Sequence, residues 1–359
     1  MAETRSPTSH VDGLNPDDPG VALLARAVAG QPAREILLVC GGDLPGVGAE
    51  ATRLVLDVRE LRGSRAHAVP LDPARFVTEP PRFGHAVVWP RPHLGKDFSI
   101  ACLALGALAL HPGGTLWCAA RKSKGAQSLA DAIAELMGEI DVEGRAKGYR
   151  LMRARRGDGF DPEAARRLAQ VSYAIEDPAL PDLHLVSAPG VFSRRELDAG
   201  TRVLIEHASR RAEPVASVLD LGCGVGPLSL WAATHWPDAR VLAVDSNLLA
   251  VALARDNAER NGVGSRVRVI ASDGMPAEPG PELAARRGGI ELALVNPPTH
   301  ADPATLGRLA DDLRTWLAPG AVAMLVVSRA GRMSEALERA GARAQAFPTE
   351  RYTVLEAHW

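Results

Sequence analysis

Apolar residues fall in short blocks along the chain, and the blocks alternate with segments of helical period. In the first half, Glu35–Val39, Leu54–Val58, Ala86–Trp89 and Thr115–Ala119 read as strands. Phe98–Leu110 reads as a helix broken by His111-Pro112-Gly113-Gly114. In the second half, strands are predicted over 216–221, 240–244, 266–270, 290–296 and 321–327, with helices between them. Parallel strands need a crossover, so this alternation predicts parallel, helix-covered sheets. The last two apolar stretches, 342–347 and 352–358, stand too close for a crossover. They predict an antiparallel pair closing the sheet edge.

The pattern repeats. AVVWPRP at 86–92 aligns with ALVNPPT at 293–299, and HPGGTLWCA at 111–119 aligns with APGAVAMLV at 318–326, each 207 positions on. One shared offset points to a duplication. The glycine loops at Gly41 and Gly222 depart from it, so an insertion or deletion lies between. The expected plan is two tandem Rossmann-like α/β domains: a polar, mobile tail over 1–19, a first domain over 20–160, a proline-punctuated linker over 161–185 and a second domain over 186–359. Trp89 and Arg91 stand where Asn296 and Pro298 stand later, so the first copy reads as degenerate.

A formal net charge of −2 gives no global attraction to a polyanion, so a nucleic-acid site must be a local patch. The candidate is GRAKGYRLMRARR at 144–156, with six basic residues, no acid, and Tyr149 among them; Arg153, Arg155 and Arg156 close it. Arg121, Lys122 and Lys124 add to it. Cys40, Cys102, Cys118 and Cys223 have no metal-ligand spacing, which suits a reduced cytoplasmic chain without a metal. The longest apolar run, Ile100–Leu110, falls far short of the ~20 residues that a membrane helix needs, and no signal pattern opens the chain.

The candidate chemistry centres on VLDLGCGVGPLSL, 218–230. A buried strand ends in Gly222, Gly224 and Gly226, and a helix starts at Pro227, presenting N–H groups and a positive helix end to a ligand. Asp245, at the end of the next strand, suits a ribose diol, and it also suits the cap of the following helix. Asp273 in ASDG is a candidate partner for an adenine amino group or a turn former. Asp220 lies inside the glycine stretch. With no Lys or Arg there, this carboxylate-lined cradle fits a sulfonium better than a phosphate. Asn296, Pro297 and Pro298 end the fourth strand of this half, where ligand chemistry in open α/β sheets takes place. The prolines stiffen the turn, so that an amide and a carbonyl converge as two acceptors for an amino group. Such a site supplies orientation.

VLDLGCGVGPL, VDSN and NPPTH, in this order, resemble class I S-adenosylmethionine-dependent methyltransferases of the N-P-P type, which methylate planar amino groups. APGVFSRRELDAGTRVLI at 188–205 is similar to the segment before the glycine loop in bacterial rRNA guanine-N2 methyltransferases, whose N-terminal domain is a degenerate copy. The resemblance implies S-adenosylmethionine as cofactor, with Asp220, Gly222 and Gly224 along its methionine part, Asp245 on the ribose and Asp273 at the adenine. It implies Asn296 and Pro297 on the target amine and Phe192 as a cover. The family carries an aromatic residue after the two prolines; here Thr299 takes that substrate-facing place. The implied reaction is methylation of guanine N2 in ribosomal RNA, with rRNA or the small ribosomal subunit as partner. Two alternatives stay open: an N-methyltransferase for a small molecule or a protein amide, and a non-catalytic RNA-binding or ribosome-assembly factor.

Overall fold

The computed structural model describes residues 15–61 and 67–359. Of the tail expected over 1–19, residues 1–14 lie outside the described residues, while Asp18 and Pro19 already open a helix. The chain forms two units. The first runs to Ser172 and includes Ala188–Gly190; the second comprises Tyr173–Ser187 and Val191–Trp359.

The first unit contains α1 (Pro19–Ala27), β1 (Ile36–Val39), β2 (Thr52–Val55), β3 (His67–Pro70), α2 (Pro73–Thr78), β4 (Phe83–Val88), α3 (Lys96–Ala109), β5 (Leu110–Arg121), α4 (Ala126–Met137), β6 (Ile140–Ala146), β7 (Tyr149–Arg155) and α5 (Pro162–Ala169). Its sheet order is β3-β2-β1-β4-β5-β7-β6, with β7 and β6 antiparallel at one edge. The second unit opens with a short antiparallel pair, β8 (Tyr173–Ile175) and β9 (Leu185–Ser187). It continues as α6 (Ala199–Ala208), β10 (Ser217–Leu221), α7 (Pro227–His235), β11 (Arg240–Asp245), α8 (Leu248–Arg260), β12 (Val267–Ala271), α9 (Pro281–Ala284), β13 (Ile290–Val295), α10 (Pro303–Trp316), β14 (Leu317–Val327), α11 (Ala330–Arg339), β15 (Arg343–Pro348) and β16 (Thr353–His358). Its order, β12-β11-β10-β13-β14-β16-β15, is that of the first unit. The antiparallel edge pair expected from the sequence is β15–β16.

Strand register carries the duplication down to single residues. Phe83 pairs with Leu110 and His85 with Thr115, across a bulge; 207 positions on, Ile290 pairs with Leu317 and Leu292 with Val322, across the same bulge. The Pro-Gly segments expected to separate helix from strand therefore lie inside long strands, with Gly113 and Gly320 at positive φ.

Two elements were not anticipated from the sequence, and one stretch differs from expectation. The stretch 144–156 is a hairpin that turns at Lys147 and Gly148, both at positive φ, as a two-residue hairpin turn requires. Its arginines hide the strand alternation. The 161–185 stretch expected as a linker carries α5, capped by Asp161 and packed on α3, and then β8 of the second unit. Pro162 there is a first-turn helix residue, not a linker mark. β3, finally, has a single buried residue, Val69, and so left no apolar run to read. Among the described residues, no helix is long and apolar enough to cross a membrane.

Candidate active site

β10 is buried along Val218–Leu221 and delivers the chain into the glycine loop at the carboxyl end of the sheet. Gly222, Gly224 and Gly226 all adopt positive φ. A Cβ on Gly226 would also stand 3.2 Å from Leu230 Cδ1. The Gly222 and Cys223 N–H groups both donate to the Val244 carbonyl, at 2.8 and 3.0 Å. Asp245 Oδ2 accepts the Gly224 N–H at 2.8 Å and its Oδ1 accepts the Asn247 N–H at 2.8 Å. Its carboxylate therefore shapes the loop. Asn257 on α8, fully buried, locks the far side: Nδ2 donates to the Val225 and Val186 carbonyls, both at 2.9 Å, and Oδ1 accepts Val186 N–H at 2.9 Å. Sequence reading missed Asn257, since nothing in a polar helix marks one asparagine as buried.

Asp220 is fully buried behind the loop. Ser229 Oγ donates to Oδ2 at 2.5 Å, while Oδ1 has no hydrogen-bond partner among the described residues. Burial pushes its pKa up to about 7; the Ser229 bonds oppose the rise and the charge of Asp245 adds to it. A buried carboxylate oxygen without a partner, in a loop without cations, fits a cationic ligand group. Asp273 is half-buried in the turn after β12. That turn is held by Asp312, whose Oδ2 accepts the Met275 N–H at 2.9 Å and whose own pKa is raised by burial.

Asn296 follows β13, and a Cβ on Gly222 would stand 4.0 Å from its carbonyl oxygen, so loop and turn adjoin. Its side-chain Nδ2 donates to Asp198 Oδ2 at 2.7 Å and to Thr201 Oγ1 at 2.9 Å. Asp198 is also the cap of α6, accepting the Thr201 N–H at 2.9 Å. Both amide hydrogens are thereby taken, which leaves Oδ1 as the acceptor that Asn296 presents. Asp198 and Thr201 lay within the segment singled out by resemblance, yet sequence alone assigned them no role.

A pocket spans this junction. Its walls are Ile175, Leu185, Phe192, Leu197, Val225, Pro227 and Leu228; Gly222, Cys223 and Gly224 border it, and Ser193, Glu196, Asp198, Thr201 and Asn296 supply polar groups. Apolar walls with few convergent polar groups suit a small ligand. Phe192 is 67% exposed, a large apolar side chain left at the rim. Pro297 is buried, while Pro298 and Thr299 are exposed.

Arg153, Arg155 and Arg156, expected to grip RNA, are engaged within the first unit. Arg153 pairs with Asp141 at 2.8 Å and Glu143 at 3.1 Å. Arg155 Nε donates to the Gly113 carbonyl at 3.1 Å. Arg156 donates to the Leu110 and Leu108 carbonyls and lies over the Phe160 ring at 4.2 Å. Tyr149 is buried and donates to Asp18 at 2.8 Å. The neutralising acids sit on β6, just outside the window that looked acid-free.

The first unit shows why it lacks the chemistry. By sheet register, Val55 stands at the Asp245 position, Cys40 at that of Gly222 and Trp89 at that of Asn296. Arg91, at the Pro298 position, lies 2.6 Å from Glu60 Oε1 and donates to the Cys40 carbonyl at 3.1 Å, both side chains largely buried. Arg53 donates to the Gly41 carbonyl at 3.3 Å.

Residues 182–356 match the family model described as the methyltransferase small domain. The chain is similar to ribosomal RNA small subunit methyltransferase C of Pseudomonas putida (strain W619): 30% identical over 291 residues, 80% of this chain and 78% of that protein. It is 36% identical over 150 residues to ribosomal RNA large subunit methyltransferase G of Streptomyces griseus, 40% of this chain and 37% of that protein. Among solved structures, the T. thermophilus 16S rRNA N2 G1207 methyltransferase in complex with AdoMet and guanosine aligns with a TM-score of 0.77 at 24% identity, over 98% of this chain and 97% of that one. That last likeness is one of fold.

Proposed function

Since the chain belongs to the family of bacterial ribosomal RNA methyltransferases that includes small-subunit methyltransferase C, we propose that it methylates the exocyclic N2 of a guanine in ribosomal RNA, with the small subunit as target. The small-subunit relative is matched over most of both chains, the large-subunit one over little more than a third. S-adenosylmethionine, when bound, supplies an electrophilic methyl group on sulfur. Asp220 and the Gly222–Gly224 backbone hold its methionine part, Asp245 its ribose hydroxyls and Asp273 its adenine. Asn296 Oδ1 and the Pro297 carbonyl accept the two N–H bonds of the target amine and aim its nitrogen along the line of transfer. Pro298 stiffens that turn, Phe192 covers the flat face of the base, and Thr299 lies at its edge. Proximity and alignment then carry the rate, since no strong base is needed to start transfer from a neutral amine.

The clamp on Asn296 carries this reading: its amide hydrogens are consumed by Asp198 and Thr201, which makes the site an acceptor site, complementary to an amine. Thr299 cannot stack on a base, which keeps a smaller amine as the second reading. Labelled methyl transfer is the test, with naked rRNA, isolated subunits and a small-molecule extract as separate acceptors. Label mapped to N2-methylguanosine supports the proposal; label in small molecules alone replaces it with the second reading. Asn296→Ala is expected to lower kcat at least ~100-fold with cofactor Kd within about twofold. An equal loss of both would make Asn296 structural.

A further inference from the structure

The chain has four lysines, and three of them meet at one corner of the first unit. β5 ends at Arg121 and continues into Lys122–Lys124, while the β6–β7 hairpin turns at Lys147 and Gly148. Backbone pairing joins the two places: the Lys122 N–H donates to the Gly148 carbonyl at 2.9 Å, and Arg121 stands opposite Tyr149. The result is a basic edge with Lys122, Lys124 and Lys147 at its turns, Arg145 and Arg150 on the α4 face of the sheet and Arg121 on the α1 face. All are exposed except Arg150, which is half-buried.

Unlike Arg153, all of these cations but Arg121 lack an acidic partner among the described residues. Among the described residues no ion pair reaches Lys122, Lys124, Arg145 or Lys147. Arg121 lies 3.6 Å from Asp18, and Arg150 donates to the neutral Gln127 at 2.7 Å. Arg145 faces Arg150 directly across the hairpin, an arrangement that works against strand pairing. Protecting the sheet edge at β6 from aggregation would take a single lysine. α4 starts at the same corner with Gly125 as its cap, so its first-turn N–H groups have no side-chain partner and add positive potential.

This corner is at the carboxyl end of the parallel strands, the end where open α/β sheets take ligands. In the first unit the cofactor position there is closed by Arg91 and Glu60. We propose that this edge of the first unit binds the phosphate backbone of the RNA substrate. The proposal rests on the RNA reading of the second unit's site. Lysine ammonium groups are point charges suited to phosphate oxygens, and Tyr149, the aromatic residue within the basic stretch, is buried, so these cations position the RNA through its backbone.

The test is the salt dependence of binding to an rRNA fragment, for wild type and for Lys122→Gln/Lys124→Gln/Lys147→Gln. Three lost phosphate contacts should flatten the slope of log K against log salt by about 2, at ~0.7–0.9 for each contact. KM for RNA should rise while kcat at saturating RNA, cofactor Kd and thermal midpoint hold. Lys124→Gln and Lys147→Gln alone should each remove ~0.7–0.9 of slope, so the test survives a poorly folded triple variant. Arg153→Gln should keep the wild-type slope. An unmoved slope in the lysine variants, or a wild type that binds no RNA, overturns the surface. Methylation of RNA by the wild type with that unmoved slope leaves the proposed function standing and removes only the surface. The expected slope loss without any RNA methylation does the reverse.

Discussion

Asp198→Asn separates the charge behind Asn296 from the geometry around it. Asparagine keeps an oxygen for the Thr201 N–H and for the Asn296 amide, so the α6 cap and the Asn296 rotamer survive. What disappears is a negative charge 2.7 Å from Asn296 Nδ2. The bound amine would lie one amide width and one hydrogen bond farther, roughly 7 Å from the carboxylate. As the methyl group arrives, that nitrogen changes from neutral to cationic. A full charge at that distance, with an effective dielectric of ~20, interacts by about 2.4 kcal/mol. With roughly half the charge developed in the transition state, about 1.2 kcal/mol is lost, an eightfold fall in kcat; full development sets a ceiling of about 60-fold. Single-turnover methyl transfer at saturating RNA and cofactor reads this number, and calorimetry reads cofactor Kd, which should not move. Asp198→Ala should lose more rate and also about 1 kcal/mol of stability with the cap. A wild-type rate in Asp198→Asn, or a rate loss matched by weaker cofactor binding, would refute the charge argument.

Three other outcomes follow from buried groups. Asp220 has a pKa of about 7 in the cofactor-free fold against 3.8 in an open chain, so the folded state binds the extra proton between those values. Thermal stability of the cofactor-free protein should therefore fall as pH rises from about 4 to about 7, while cofactor affinity tightens through the upper part of that range; Asp220→Asn should abolish both slopes, and a flat wild-type binding profile would contradict the assignment. Arg91→Met strands the buried Glu60 carboxylate and should destabilise the first unit by about 3 kcal/mol in urea titration while leaving cofactor Kd alone; loss of cofactor binding would mean that the first unit still contributes to it. Asn257→Ala leaves the Val225 and Val186 backbone groups unpaired, for a loss of about 3 kcal/mol in a thermal melt with weaker cofactor binding; an unshifted midpoint would show that the loop holds without it.

The parallel sheets, the antiparallel edge pair and the duplication were legible because apolar strand blocks and Pro-Gly breaks are local patterns. The glycine loop and the Asn-Pro-Pro turn were legible for the same reason, being short and set by backbone constraint. What escaped depends on approach in space. Asp198 and Asn296 are far apart in sequence, and only the fold reveals that one carboxylate caps α6 and holds the amide. Arg153 looked free because Asp141 and Glu143 sit on the neighbouring strand. The 144–156 run reads as a basic patch, and only its pairing with β5 reveals the strand on which Leu151, Met152 and Ala154 are buried.

The two copies keep one corner and put it to different use. Asp18 caps α1 as Asp198 caps α6. Gly20 and Gly200 follow, and a Cβ there would stand 2.6 Å from Tyr149 Cε1 and 3.3 Å from Tyr352 Cε1. In the second copy the carboxylate turns to the Asn296 amide. In the first, Trp89 offers no amide, and Asp18 accepts the Tyr149 hydroxyl instead. A carboxylate at a helix N-terminus is stabilising whatever else it touches, so it can outlast the chemistry. On the proposed function, it acquires a catalytic consequence only where an amide ends the fourth strand. The loops differ in the same sense. Carbonyls of the first loop, at Cys40 and Gly41, are met by guanidinium groups of Arg91 and Arg53. The second leaves Asp220 Oδ1 without a partner among the described residues. On the proposed function the second loop is completed by the cofactor, which should therefore stabilise the second unit and leave the first unchanged.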